Sequence, residues 1–167
     1  MSEAVPIAIL FGILVLAYLG MYFGWKRRGV KHDLPELVAL PSVKDLPPAK
    51  LDSNARYFGT TVAGDWPDRV VSRGLGARSS CRIRLTDDGI DVVRVAGSFR
   101  IPASALRGAR HDQGIAGKVV PPYGVLVVTW HHGDYDLDTG FRLTEATTET
   151  HNEWVRKISK LVKKENA

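Results

Sequence analysis

Arg73, Arg78, Arg82 and Arg84 fall within a short stretch of a 167-residue chain. Guanidinium groups are always charged and can bond oxyanions through two N–H groups at once, so this crowding makes a candidate anion-binding group. The competing reading is structural. "SCRIRL" alternates Cys81, Ile83 and Leu85 against Arg82 and Arg84, which would make both arginines outward positions on a strand. A second constellation is "DYDLDTGFRLTE", in which Asp134, Asp136 and Asp138 stand at the first, third and fifth places of a calcium loop and Glu145 at the twelfth. Its sixth place requires glycine and holds Thr139, while Tyr135, Leu137, Phe141 and Leu143 alternate with polar residues, so we read a strand with a solvated acidic face. A third is the set His131, His132, His111 and Cys81, which could ligate a metal or pair a thiol with an imidazole. Adjacent histidines on a strand point to opposite faces, no CxxC or HExxH spacing is present, and Cys81 shares the apolar face, where a thiol is inert. The glycines of "GLG" and "GIAGK" lack a strand–loop–helix phosphate motif and read as turns. No catalytic or metal-binding residue is therefore assigned, and no cofactor is expected.

The elements that must position these residues differ along the chain. Residues 4–24 are uncharged and rich in Ile, Leu, Val, Phe and Ala. At 1.5 Å per residue, a helix of about twenty residues spans roughly 30 Å of hydrocarbon. Only Glu3 and the amino terminus precede the run, whereas Lys26, Arg27, Arg28 and Lys31 follow it. Excess Lys and Arg mark the cytoplasmic end of a span, which predicts an outside amino terminus and a cytoplasmic remainder at the plasma membrane. Tyr18, Tyr22 and Trp25 lie toward that end, where aromatic rings favour the headgroup zone and the basic flank can meet anionic lipid. A cleaved signal peptide would carry basic residues first and a small-residue cleavage site, and neither is seen.

The boundaries read as an anchor over residues 1–25, a basic and proline-rich linker over 26–55, and one domain over 56–167. The prolines of "LPELVALPSVKDLPPAKLDSNA" predict a semi-rigid spacer or a strap lying over the domain rather than a helix. Of the net charge of +5, an excess of about three lies in residues 26–33, about three in 56–143 and about one in the tail. The domain is only mildly basic, which argues against a nucleic-acid partner. The single cysteine, Cys81, cannot form an internal disulfide, as suits a reducing compartment.

Beyond the linker, about seven short strands are punctuated by Gly, Pro and Asp, with a hairpin turn at Asp88-Gly89. "GDWPDRVVSRGLG" predicts a short helical excursion, capped by Asp65, opened at Pro67 and ended by Gly74, with Val70, Val71 and Leu75 tucked inward. The chain then predicts a helix. Thr150 and Glu153 match a capping box, with a start as early as Thr144 also compatible, and Trp154, Val155, Ile158, Leu161 and Val162 form one apolar stripe. We read that stripe as the lid on a small β core rather than a surface lying on a membrane.

Strands followed by one amphipathic helix with a Trp on its buried face resemble the pleckstrin-homology (PH) architecture, a bent β-sandwich plugged by its last helix. The order of "GDWPDRVVSRGLGARS", "IPASALRGARHDQGIAGKVV" and "VLVVTWHHGDYDLDTGFRL" behind a basic-ended span is similar to a family of small actinobacterial membrane proteins with a PH-like domain, often loosely labelled transporters or export proteins. The resemblance implies the anchor and a mainly β fold; our reading of the residues is a single-pass, non-catalytic module that contacts another membrane or cytoplasmic protein. One helix cannot line a pore, so a transporter label would fit an accessory subunit. Arg73, Arg78, Arg82 and Arg84 resemble the basic first-loop pocket with which some PH domains hold lipid headgroups, making anionic lipid the alternative partner. A hydrolase or metalloenzyme would need a convergent polar pocket that these residues do not assemble.

Overall fold

Apolar residues on every side make α1 (Ala4–Val30), a helix whose segment Val5–Gly24 has a mean hydropathy of 2.2 and contains no buried residue. It is the one helix among the described residues that is long and apolar enough to cross a membrane. The computed structural model describes residues 4–30, 32–41, 46–119, 124–144 and 147–165. The chain forms two compact units, Met1–Asp33 and Leu34–Ala167. In the first, the helix continues past the expected anchor end at residue 25, through Lys26, Arg27 and Arg28. Lys31 lies outside the described residues.

Among its described residues the second unit has ten strands: β1 (Leu51–Val62), β2 (Asp65–Arg69), β3 (Ser79–Leu85), β4 (Gly89–Arg94), β5 (Phe99–Pro102), β6 (Leu106–Asp112), β7 (Gly114–Ile115), β8 (Lys118–Val119), β9 (Val125–His132) and β10 (Tyr135–Leu143). Seven pair in the order β5-β4-β3-β1-β10-β9-β6, all antiparallel, and β2 adds to β1 as an eighth. The sheet curls on itself. Phe99 and Trp130 stand five strands apart in that order, a separation of about 24 Å in a flat sheet, yet their rings stack with centroids 6.2 Å apart. Tyr57 meets both Phe99 and Phe141 edge-on in the same core.

α2 (Thr148–Glu165) closes one end, burying Trp154, Ile158 and Leu161 as the stripe predicts. Its cap differs from expectation. Thr147 Oγ1 accepts from the Thr150 backbone N–H at 3.3 Å, so the cap sits three residues ahead of the expected box, and Glu153 pairs instead with Lys157 at 3.0 Å.

Two further expectations are corrected. Asp65 and Pro67 do not start a helix: they lie in β2, an edge strand where proline's missing donor costs no ladder bond. The loop keeps returning to β1, Val70 N–H donating to Thr60 O at 2.9 Å and Thr60 N–H to Leu75 O at 3.1 Å, which leaves only the 3-10 turn Ser72–Gly74. Val70 and Leu75 are buried, and Val71 is exposed. Secondly, the first strand starts at Leu51 rather than Arg56, because Leu51, Ser53 and Ala55 pair with Leu85, Ile83 and Cys81. The proline-rich segment ahead of it acts as a strap. Leu34 is buried in the core, and Arg100 N–H donates to Val38 O at 2.8 Å along the otherwise open edge of β5.

Candidate functional site

The four arginines singled out by their spacing separate into two groups. Arg82 and Arg84 are both drawn to Asp52 on β1. Arg82 grips the carboxylate with two N–H groups, each 2.7 Å from an oxygen, while Arg84 Nε stands 3.4 Å from it. Arg84 lies opposite Asp52 in the β1–β3 ladder and opposite Asp91 in the β3–β4 ladder, and Asp91 in turn faces Arg100 on β5. One rung thus crosses four strands with charges in alternating sign. Its contacts are 3.4 Å for Asp52–Arg84, 3.8 Å for Arg84–Asp91 and 2.6 Å for Asp91–Arg100. The strap covers the rung: Arg84 donates to Pro47 O at 2.6 Å, and Arg84 and Asp91 are buried. Arg84 is therefore no solvated strand residue; the carboxylates on either side and the covering carbonyl make its burial tolerable.

Arg73 and Arg78 belong to the loop end. Arg73, with φ at 53°, donates through Nε to Leu34 O at 2.7 Å, tying the start of the strap to the 3-10 turn. Arg78 donates to Phe58 O at 3.4 Å and to Ala116 O at 3.2 Å. Arg69, which spacing alone did not single out, donates to that same Ala116 oxygen at 2.7 Å and to Gly76 O at 2.9 Å. Partial burial, and then the Arg78 charge beside it, hold the Arg69 guanidinium below its ordinary range. Neither Arg69 nor Arg78 has a carboxylate partner among the described residues. Ala116 can face them because β7 and β8 are joined by a two-residue turn, Ala116-Gly117, with φ at 51° and 71°, the mirror-image geometry that suits tight hairpins.

Arg94, also missed, is buried beneath the loop between β2 and β3. It donates to Gly97 O at 2.8 Å and Gly74 O at 3.0 Å, and its guanidinium lies 4.3 Å from the Tyr57 ring centroid. A hydroxyl chain continues inward. Trp130 Nε1 donates to Thr139 Oγ1 at 2.8 Å, Thr139 and Thr60 hydroxyls meet at 2.8 Å, Thr60 and Tyr57 at 2.7 Å, and Tyr57 donates to Leu75 O at 2.7 Å. Burial pushes the Tyr57 hydroxyl up to about 12, so it stays a donor that fixes the loop between β2 and β3.

The other candidates resolve into structural pairs. Asp136 meets His131 Nδ1 at 2.8 Å, and Asp138 accepts from Thr129 at 2.6 Å and from Arg110 at 2.8 and 3.2 Å. Asp138 is buried rather than solvated, which departs from the expected solvated face. Burial pushes its carboxyl up, but the Arg110 and Thr129 hydrogen bonds outweigh that and hold it below the usual range. Glu145 lies outside the described residues. His132 contacts Pro35 O on the opposite face from His131, and His111 reaches Asn152 on α2. Burial pushes the Cys81 thiol up to about 11, away from reactivity. Among the described residues no group of three or more His, Cys, Asp or Glu could hold a metal ion.

The curled antiparallel sheet with a carboxy-terminal helical plug has a counterpart in sequence: the family described as Bacterial PH domain-like matches residues 34–159. The chain belongs to this family. No curated protein matches it. The match begins at Leu34, so this bacterial PH-like domain includes the strap, which agrees with Leu34 being part of the buried core. A PH-like domain supports a non-catalytic interaction module in general terms.

Proposed function

We propose that this chain is a single-pass membrane protein that presents a PH-like domain on the cytoplasmic side for contact with another protein, as an accessory subunit of a membrane complex. The supporting observation is the apolar helix segment Val5–Gly24, none of whose residues is buried, joined through the basic residues Lys26, Arg27, Arg28 and Lys31 to a domain that begins at Leu34. The basic flank favours the inner leaflet, and among the described residues the domain's arginines are engaged by carboxylates and backbone carbonyls, as at Arg82 and Arg84 and at Arg69, Arg73, Arg78 and Arg94.

Topology is tested with a Cys81→Ala/Val95→Cys chain, since Val95 is fully exposed at the β4–β5 turn. A membrane-impermeant maleimide should fail to label intact cells and should label after permeabilisation. Carbonate extraction should leave the protein in the membrane with residues 1–25 retained by mass spectrometry. A processed, soluble product would identify a signal sequence and end the anchor reading.

A second reading is an anionic lipid headgroup held at the loop end. It draws on Arg69 and Arg78 sharing one carbonyl oxygen without a carboxylate, and on Arg73 nearby in sequence, rather than on Arg82 and Arg84. Flotation with anionic vesicles, weakening with salt and lost in Arg69→Gln/Arg78→Gln, would favour it over protein contact.

A further inference from the structure

A pocket of about 250 Å³ opens where α2 meets the turn between β3 and β4. Leu85, Thr86 and Leu161 line its floor, and Lys50, Lys157, Lys160 and Lys164 surround it. Three of these lysines share one face of α2 by their spacing of three and four. The fourth is placed by Lys50 N–H donating to Leu85 O at 2.7 Å. Two of the ammonium groups are balanced, Lys50 by Asp87 and Lys157 by Glu153. Lys160 and Lys164 have no ion pair among the described residues, although, after the Lys50 hydrogen bond, the Lys164 charge also helps to hold the Asp87 carboxyl below its usual range. Lysines late in a helix complement its negative end, which accounts for Lys163 and Lys164. That does not account for a concave apolar floor ringed by lysines a turn apart.

We propose that this pocket docks an acidic segment of a partner protein, seating one apolar side chain on the floor while flanking carboxylates meet Lys160 and Lys164. This rests on the interaction-module reading and gives the partner a chemistry. Lysine stems extend apolar surface while their heads stay in water, so an apolar centre with a charged rim results, the layout of a protein-docking site. A phosphate ligand fits less well: no arginine lines the pocket, and an oxyanion has no use for an apolar floor. A bilayer fits less well too: Leu85 and Leu161, 1% and 7% exposed, lie at the bottom of the cleft, where one inserted side chain would pack against them and the lysine stems, but neither protrudes to enter lipid.

The test uses the full chain in zwitterionic nanodiscs and a fluorescein-labelled peptide, Glu-Glu-Leu-Glu-Glu, followed by anisotropy. Saturable binding is expected, about tenfold weaker with Ser in place of the central Leu and about tenfold weaker for Lys160→Gln/Lys164→Gln. Lys163→Gln, on the same helix but off the pocket, should change binding less than about twofold. Melting curves of these exposed-lysine variants should match the parent. Equal losses for Lys163→Gln and the double variant, indifference to the central Leu, or displacement by equimolar inorganic phosphate would overturn the pocket. Crosslinking in native membranes separates the two ideas. A partner still captured by the double variant would remove the pocket and leave the module reading standing, whereas no partner captured by the parent domain would remove both.

Discussion

Asp91 and Arg100 face each other across β4 and β5, the buried carboxylate accepting from two guanidinium nitrogens at 2.6 and 3.1 Å. This pair ends the charged rung that begins at Asp52, and it lies under the strap where Val38 joins Arg100. Removing Arg100 would leave the buried Asp91 carboxylate with only the longer 3.8 Å contact to Arg84, so Arg100→Gln should destabilise the domain by about 3 kcal/mol. Arg82→Gln, at the exposed end of the same network, should cost less than about 1 kcal/mol. Urea unfolding of the two variants checks the contrast; equal costs would mean that the rung is not what holds the strap side together.

Trp154 should be core. Its indole is buried and donates to Ser53 Oγ at 3.2 Å, joining α2 to the start of β1. Trp154→Ala should remove about 3–5 kcal/mol, a large part of what a domain of this size has. Calorimetry should show a severely lowered melting temperature or no transition. Unchanged melting together with weaker vesicle binding would instead make the helix a membrane contact.

Alkaline pH should destabilise the domain. The Tyr57 hydroxyl ionises at about 12 in the folded chain against an ordinary 10.0, so the unfolded chain loses its proton first as pH rises. Its contribution is complete below pH 10 and is lost as pH climbs through 12, about 2–3 kcal/mol in all. Cys81, shifted from 9.0 up to about 11, acts in the same direction from pH 9 upward. Tyr57→Phe should be less stable at pH 7, by about 1–2 kcal/mol for the lost hydrogen bonds, yet show a flatter stability profile above pH 10. A profile as steep as the parent's would refute the assignment to Tyr57.

Gly89 should tolerate no side chain. Its φ is 137°, and a Cβ there would overlap the Ile101 carbonyl oxygen on β5. Gly89→Ala should cost at least about 1–3 kcal/mol from backbone strain alone and should spread amide chemical-shift changes into β5. Gly97→Ala, at positive φ but in open space, should change β5 far less.

What could be read from the sequence was what depends on near neighbours in the chain. The apolar run to Gly24, the alternation in "SCRIRL", the hairpin at Asp88-Gly89 and the stripe through Trp154, Ile158 and Leu161 are local patterns, and each gave its type of element there, although the first helix runs on to Val30 and Gly89 opens β4. The helical signals at Asp65 and Pro67 were local too, but pairing with β1 offered the same backbone groups hydrogen bonds across the sheet, and tertiary context prevailed. The fate of the arginines was never local. Whether Arg84 faces water or Asp91 depends on the register of three strands and on a strap passing overhead, and Arg69 joins Arg78 only because a hairpin some forty residues later brings Ala116 over them. Charge spacing along a chain sets which groups exist; the ladder register and the covering segments set which of them meet, because ion pairing falls off over a few ångströms while sequence separation says nothing about that distance.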